Sequence, residues 1–547
     1  MPYNLVVDPV APFLTASGAV RWLSLPEIAA TLPGGDYAVE PAWPRADLDT
    51  ATYEFLIGLL SFALAPGSIS EWDRRYRQPP SVDELREAFN PLVSAFNLSG
   101  DGPLFMQEAG LQGDSNPVEA LLIDTPGANA QKKNSDLLTH RARVEALSLP
   151  ASAMALYALQ AFAPSGGAGN LTSMRGGGPL TALVIPEGTE DGAPLPLWQR
   201  LWANVMPHGE TRPSADTVFA WLRSDLPIGM SEKLGGLKIH QGTPGFDERL
   251  HPYFGMPRRI RLLFAEAPGV CGITGLHGPL VTGFVQKPYG LNYGDWRHPL
   301  TPYRRQKSAE TPYSVKPKSG RFGYRDWVAV TVGDGKGERD SLSLPAENVR
   351  FARSEAADTL SQRNSLPDAR IRVAGWAMNN MEAISYLAAE QPLLLANPSN
   401  AFAVDELARN IASAGEIVSN ELRYAIRSVL DEKDDKGGIA HARTTFYERT
   451  DDAFHHLLAE AIVGGDIADR TDIGKRWLRH LRRAVLAILD ETCPVPLDDA
   501  QKAAKTVNAR AALINTLSGW SRTGRNLYGE LRLPEPTNDS KKVEESA

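Results

Sequence analysis

Four segments near the C-terminal end of the chain carry apolar residues at helical spacing. They cover residues 402–432, 441–463, 471–492 and 497–529, and the connections between them contain Gly or Pro. In each segment the apolar positions recur every three or four residues, so they would form one stripe along a helix. Four such helices in succession predict an all-α, antiparallel four-helix bundle over residues 399–533.

The part of the chain before this bundle shows a mixed pattern. Residues 48–64 and 81–96 have helical spacing, whereas residues 370–390 alternate as a β-hairpin would. Residues 187–330 are rich in Pro, Gly, Trp and Tyr, and such loop-rich segments need aromatic anchors. The chain is therefore predicted to be α+β, with a large mixed α/β domain and irregular, loop-rich regions over residues 1–398.

Composition and charge limit the class of protein. The hydrophobic fraction of 43% and the charged fraction of 22% are typical of a soluble globular protein. A net charge of -8 argues against a broad positive surface that coats nucleic acid, although it leaves room for a local contact. Two cysteines, Cys271 and Cys493, are too few for a disulfide framework or a four-cysteine zinc site and favour a reducing cytoplasm.

The N-terminal residues and the longest apolar runs predict neither secretion nor insertion in a membrane. The N-terminal residues lack a basic segment followed by an apolar one, so no secretory signal is expected. No apolar run has the length of a membrane-spanning helix, and we expect no contact with a membrane. The polar and charged residues 534–547 predict a disordered tail.

Two glycine clusters lie close together between Phe162 and Val184. The first runs Ser165, Gly166, Gly167, Ala168, Gly169, Asn170, and the second runs Arg175, Gly176, Gly177, Gly178, Pro179. Glycine permits positive φ and close approach of the backbone to another surface. Successive N–H groups in such loops favour anions, which suggests phosphate contact. The alternative is an ordered surface turn, because glycine clusters are common in turns.

The sequence carries few signatures of catalysis. It contains no nucleotide-binding G-x-x-x-x-G-K-[ST] loop, no H-E-x-x-H helix and no paired C-x-x-C motif. His455 and His456 are adjacent on a predicted helix, where side chains point about 100° apart and cannot easily share a metal. These residues favour a binding and assembly protein that is not an enzyme and needs no cofactor or metal. The alternative is a phosphate- or nucleotide-binding enzyme that uses the glycine-rich loops at 165–178.

Each of two basic segments has two possible interpretations. The polar segment 128–140 carries Lys132, Lys133 and His140, and it is either a mobile surface loop or a basic loop that reaches a partner. A second group of basic residues indicates, with equal weight, a solvated face or a nucleic-acid contact. Its members are Arg297, Arg304, Arg305, Lys307, Lys316, Lys318, Arg321 and Arg325.

The order of these features resembles the large subunit of the type I-E CRISPR surveillance complex Cascade, the CasA family. The resemblance extends over nearly the whole chain, and its motifs keep their order and spacing. They are Pro103-Leu104-Phe105-Met106-Gln107, the stretch from Ala163-Pro164 to Thr181, the hairpin Gly375-Trp376-Ala377-Met378-Asn379-Asn380, and Arg525-Asn526-Leu527-Tyr528 at the end of the bundle.

The resemblance implies a non-catalytic subunit of an RNA-guided antiviral complex. Such a subunit binds at the 5′ handle of the CRISPR RNA, together with the backbone subunits, the small-subunit dimer and the 5′-handle subunit. It reads the PAM of double-stranded target DNA through the minor groove, promotes strand separation and R-loop formation, and recruits the helicase-nuclease that degrades the target. Guide pairing then reads the rest of the sequence.

The resemblance also implies which residues contact nucleic acid. Ser165, Gly166, Gly167, Ala168, Gly169 and Asn170 would form the glycine loop that lies in the minor groove. Lys287, one residue before the family's nominal position at Pro288, would be the lysine finger. Asn379, Asn380 and Met381 would form the wedge that separates the first base pairs, with Met381 in place of the family's Gln. The loop with Lys132, Lys133 and His140 would contact the guide handle. Some members hold zinc through cysteines near the position of Cys271, and this lone cysteine predicts no zinc here.

Overall fold

The computed structural model describes most of the chain. The described residues are 3–127, 132, 143–167, 169–188, 192–209, 212–226, 236–308, 310–318, 320–336, 339–360, 369–379, 381–430, 436–463 and 470–536. They fall into two compact units, one within residues 1–320 and 345–390 and the other within 321–344 and 391–547. The chain thus combines helix and sheet as predicted. Most of the predicted tail, 537–547, lies outside the described residues.

The helices are α1 Ala46–Ala63, α2 Ile69–Arg77, α3 Val82–Phe89, α4 Leu149–Phe162, α5 Leu197–Trp202, α6 Ala215–Val218, α7 Tyr324–Thr331, α8 Glu347–Arg353, α9 Ala357–Leu360, α10 Ala401–Val429, α11 Lys436–Val463, α12 Arg470–Thr492, α13 Ala500–Leu517 and α14 Arg522–Glu530. The strands are β1 Ala11–Thr15, β2 Val20–Leu23, β3 Thr31–Leu32, β4 Asp36–Pro41, β5 Ser115–Pro117, β6 Leu147–Ser148, β7 Thr181–Pro186, β8 Leu237–Ile239, β9 Arg259–Phe264, β10 Gly269–Val270, β11 His277–Gly278, β12 Leu280–Lys287, β13 Leu291–Tyr293, β14 Tyr303–Arg304, β15 Tyr313–Ser314, β16 Ser343–Leu344, β17 Ala369–Asn379 and β18 Glu382–Pro392.

Two small sheets of the first unit position the candidate site. In one, β12 lies between β5 and β9, and the antiparallel β9–β12 register places Lys287 opposite Arg259. In the other, the order is β18-β17-β7, and the antiparallel register runs from Ala369 opposite Pro186 to Ala374 opposite Thr181. The long β17–β18 hairpin that the alternation predicts is present.

Helices α1 and α4 form the apolar centre of the first unit. Both are buried around most of their circumference, which explains why neither shows a simple amphipathic stripe. Aromatic side chains from several loops pack on them. Phe55 of α1, for example, meets Phe105, Tyr157 and Phe254 edge-to-face at centroid distances of 5.7, 5.9 and 6.5 Å. Phe254 belongs to the loop-rich region 187–330, which therefore contributes an aromatic side chain to this core.

The second unit consists mainly of the C-terminal helices, with α10 packed against α11, α12, α13 and α14. The single fourth helix predicted over 497–529 is wrong, because the chain turns between α13 and α14. Gly519 has φ +81° at this turn, and the Ser521 side chain caps α14 by accepting a hydrogen bond from Gly524 N at 2.8 Å.

The second unit also contains residues 321–344, which the sequence places in the first domain. Tyr324 of this segment stacks on Phe454 of α11 at 4.6 Å between ring centroids, and its backbone N–H donates to Asp451 Oδ1 at 2.8 Å. Trp327 is buried and donates from Nε1 to Pro392 O at 2.7 Å. These long-range contacts are not visible in the local pattern of the sequence.

Candidate nucleic-acid interface

The glycine loop follows directly after α4. The helix ends at Phe162, and Pro164 prevents its continuation. The loop closes on itself through two backbone hydrogen bonds, from Gly166 N to Asn170 O at 3.0 Å and from Asn170 N to Gly167 O at 2.8 Å. Gly167 and Gly169 have φ of +66° and +78°. A tight loop of this shape needs glycine at both positions.

The two left-handed glycines face different surroundings. A Cβ added to Gly169 would lie 2.7 Å from Pro288 Cβ and from the Tyr289 ring, whereas a Cβ on Gly167 would meet nothing within 4 Å. The Tyr289 backbone N–H donates to Gly169 O at 2.9 Å. One side of the loop is therefore fixed to the turn after β12, and the other side is open.

Strand β12 presents two adjacent side chains in different directions. Gln286 Nε2 donates to Asn170 Oδ1 at 2.6 Å, so Gln286 supports the glycine loop. Lys287 extends towards Gly113, where an added Cβ would lie 2.9 Å from its Nζ atom. Side chains alternate between the two faces of a strand, which accounts for the difference. Lys287, the predicted finger, thus lies beside the loop region but is half-buried on the Gly113 side.

The tip of the β17–β18 hairpin touches the glycine loop. The Ser165 hydroxyl donates to the thioether sulfur of Met381 at 3.3 Å. Met381 has φ +74°, and 59% of its surface is exposed. Asn379 is also exposed. Two of the sequence-predicted elements, the loop and the wedge, are therefore brought together by the fold.

The glycines of the second cluster pack closely against neighbouring segments of the protein. A Cβ on Gly177 would lie 2.6 Å from Pro164 Cα, and a Cβ on Gly178 would overlap the carbonyl oxygen of Trp376. These glycines allow the backbone after the loop to pack against the hairpin.

Arg175 anchors this second cluster inside the protein. It forms a bidentate ion pair with Glu54 of α1, with Nη2 2.7 Å from Oε2, and both side chains are almost fully buried. Thr181 Oγ1 donates to the same carboxylate at 2.5 Å. Lys316 Nζ donates to the Arg175 carbonyl at 2.7 Å, and burial, assisted by the Arg175 charge, lowers the pKa of Lys316 to about 7.

Some residues that the sequence predicts to contact nucleic acid lie outside the described part of the chain, and two residues that support the glycine loop were not predicted. Ala168, Asn380, Lys133 and His140 lie outside the described residues, and Lys132 is exposed. Two supporting residues, Gln286 and Tyr289, were missed. Tyr289 has φ +63°, an unusual conformation for a tyrosine, and the adjacent Pro288 and Gly290 could have signalled a turn.

Several basic residues between 297 and 325 have neighbours that the sequence did not indicate. Arg304 lies over the Tyr313 ring at 5.1 Å, and Lys316 is largely buried. In the second unit, Arg321 pairs with Asp451 at 3.5 Å and Arg325 with Glu416 at 3.3 Å. The sequence could not show these partners because they lie far away along the chain.

Within the described part of the chain, no group of three or more His, Cys, Asp or Glu side chains is arranged to hold a metal ion. Both cysteines, Cys271 and Cys493, are buried, and they form no disulfide with each other. None of the described helices is both long enough and apolar enough to cross a membrane.

Comparison with known proteins gives the family. The family model for CRISPR-associated protein Cse1 matches residues 4–488. A structure of CasA (Cse1) from Thermus thermophilus is 19% identical, with a TM-score of 0.66, and the match covers 94% of this chain and 100% of that chain. A Cse1 structure from Thermobifida fusca is 17% identical, with a TM-score of 0.65 and coverage of 97% and 98%. A chain of a CRISPR RNA-guided surveillance complex is 16% identical, with a TM-score of 0.62 and coverage of 94% and 99%.

These findings define a CRISPR-associated protein. More specifically, the chain belongs to the Cse1 family, the large subunits of type I-E Cascade. The resemblance noted from the motifs is confirmed.

Proposed function

We propose that this chain is the non-catalytic subunit that reads the PAM of double-stranded DNA for its surveillance complex. The observation that carries the proposal is the contact between the open glycine loop and the exposed hairpin tip. Gly167 has free space on its outer side, so bare backbone is available to enter a narrow minor groove. Met381 lies beside it and offers an exposed apolar side chain of the type that unstacks base steps.

The remaining roles follow from the same assignment. Asn379, Asn380 and Met381 start strand separation and R-loop formation, and Lys287 contributes a positive charge next to the reader. The loop with Lys132, Lys133 and His140 contacts the 5′ handle of the CRISPR RNA. The C-terminal helices contact neighbouring Cascade subunits in the cytoplasm. The assembled complex then recruits the helicase-nuclease.

The glycine loop is tested by placing a charged side chain on its open side. In the assembled complex, Gly167→Asp should reduce affinity for a PAM-containing duplex by at least tenfold, because a carboxylate would face DNA phosphates. The PAM is first found by selection from duplexes randomised beside the protospacer. Gly18→Asp is the matched control, since Gly18 also has positive φ (+84°) and open space around its Cβ position. Equal duplex affinity of the two variants would overturn the proposal.

The other two elements have separate readouts. Met381→Ala should slow duplex opening, followed by permanganate reactivity of unpaired thymines, more than it weakens initial binding. Lys287→Met should weaken duplex binding. It should also reduce the slope of log affinity against log salt concentration by about one, the amount expected for one phosphate contact. Normal opening would remove Met381 from the wedge, and an unaltered salt slope would remove Lys287 from the interface.

A further inference from the structure

Arg258 carries a buried positive charge directly beneath the glycine loop. Only 8% of the residue is exposed. Two hydrogen bonds join its backbone to the Gln160 side chain of α4. Arg258 N donates to Gln160 Oε1 at 3.0 Å, and Gln160 Nε2 donates to Arg258 O at 2.9 Å. Its guanidinium Nη2 donates to the carbonyl of Pro164, the residue before the loop begins. The fold therefore fixes this cation at the root of the loop.

The guanidinium has a buried donor that no acceptor satisfies. The buried Nε atom has no hydrogen-bond partner, and among the described residues no carboxylate lies within ion-pair distance of Arg258. Burial alone acts on this group and lowers its pKa to about 10. An isolated buried charge with unused donors is costly, so its presence calls for an explanation.

Two other arginines of this unit have carboxylate partners. The buried Arg175 pairs with Glu54, and the half-buried Arg372 pairs with both Glu40 and Glu390, at 2.7 and 2.5 Å. The next residue along the chain, Arg259, forms a bidentate pair with Glu108, with both distances 2.8 Å. The contrast between Arg258 and Arg259 is that the fold places a carboxylate, Glu108, beside only one of the two.

Arg258 lies between the segment that leads into the glycine loop and the turn after β12. Pro164 leads into the loop on one side. On the other side, Gly290 of the turn after β12 packs so closely on Pro257 and Arg258 that an added Cβ would lie 3.1 Å from Arg258 N. This is the same turn that holds Gly169 through Tyr289. An anion bound in front of the loop would therefore approach the one buried arginine described at its root.

We propose that Arg258 is the fixed cation of an anion site at the root of the glycine loop, and that a backbone phosphate of the bound duplex is its counter-ion. The inference rests on the proposed reading of duplex DNA by this loop. In this arrangement the loop backbone lies in the groove while Arg258 neutralises a phosphate at its edge. The missing carboxylate is explained, because an internal acid would repel that phosphate.

The test measures duplex affinity of the assembled complex over a series of salt concentrations. Arg258→Gln and Arg258→Met should each weaken binding of the PAM duplex about tenfold at low salt and reduce the log–log salt slope by about one. Arg258→Lys should retain the slope. Arg259→Gln is the matched control and should leave the slope unchanged, since its charge is already paired. Wild-type slopes in both neutral Arg258 variants would overturn the proposal.

A second measurement begins with the unaltered protein, so its first comparison stands even if a variant fails to fold. Phosphates beside the PAM are replaced one at a time by neutral methylphosphonates. At least one replacement should weaken wild-type binding about tenfold and have no further effect on Arg258→Met. If no single phosphate matters to the wild-type complex, the anion site is wrong. If Gly167→Asp blocks duplex binding while the Arg258 variants behave as wild type, the reading function stands and only this site fails.

Discussion

The Ser165 hydroxyl donates a hydrogen bond to the sulfur of Met381 at 3.3 Å, across 216 positions of sequence. This contact joins the start of the glycine loop to the tip of the β17–β18 hairpin. In the proposed function, a reader of the groove and a wedge for the base pairs act at neighbouring positions on the duplex. The contact between Ser165 and Met381 holds the two segments close together, as that proposal requires.

We predict that the backbone at Met381 is strained, and that methionine occupies this position because of its apolar side chain. Met381 has φ +74°, a conformation that Asn tolerates better than Met. Met381→Asn should therefore leave the free energy of unfolding unchanged or raise it by up to about 1 kcal/mol, measured by urea titration. It should also slow strand opening, because the apolar side chain is lost. A variant that is less stable, or that opens duplex at the normal rate, would contradict this account.

The two left-handed glycines should respond differently to alanine. Gly167→Ala adds only the cost of positive φ, about 1–2 kcal/mol. Gly169→Ala adds the same cost and a clash with Pro288 and Tyr289 at 2.7 Å, so it should also shift the loop away from the turn after β12. We expect Gly169→Ala to be the less stable variant, by about 1 kcal/mol or more in urea unfolding. Equal losses in the two variants would mean that the turn adapts without cost.

The buried pair of Arg175 and Glu54 should be far more sensitive than an exposed pair. Glu54→Gln leaves the Arg175 charge buried without its partner and should cost about 3–5 kcal/mol of unfolding free energy. Glu491→Gln removes the partner of Arg449 on the surface of the helical unit and should cost less than about 1 kcal/mol. Chemical denaturation of both variants gives the comparison. A small loss for Glu54→Gln would show that water reaches the pair.

Lys316 should make stability depend on pH in the alkaline range. Its folded pKa of about 7 lies below the ordinary value of 10.5, so between these values the unfolded chain binds more protons than the folded chain. The free energy of unfolding should therefore rise with pH across this window, by at most about 1.4 kcal/mol per pH unit, and this contribution should be constant below it. Lys316→Met should flatten the rise, whereas Lys318→Met, at an exposed position, should not. Parallel pH profiles for wild type and Lys316→Met would contradict the prediction.

Local sequence patterns predicted those helices and strands that depend on residues close together in the chain. Apolar residues at helical spacing located the C-terminal helices, and strand alternation ending in two asparagines located the hairpin. Where a local pattern continued through a break, the prediction failed. The turn at Gly519 divides the fourth predicted helix because Gly519 adopts positive φ and Ser521 starts a new cap. A glycine and a serine within an otherwise helical pattern do not by themselves reveal that the helix ends there.

The sequence by itself determined the mixed fold class, the C-terminal helices and the family, since these depend on periodicity and on the order of motifs. Only the tertiary structure decided which residues meet. It placed Ser165 against Met381, directed Gln286 rather than Lys287 to the glycine loop, and left Arg258 without an acid while giving one to Arg259. The physical reason is that side-chain contacts, burial and ion pairs arise between residues that are distant along the chain, and no local pattern encodes them.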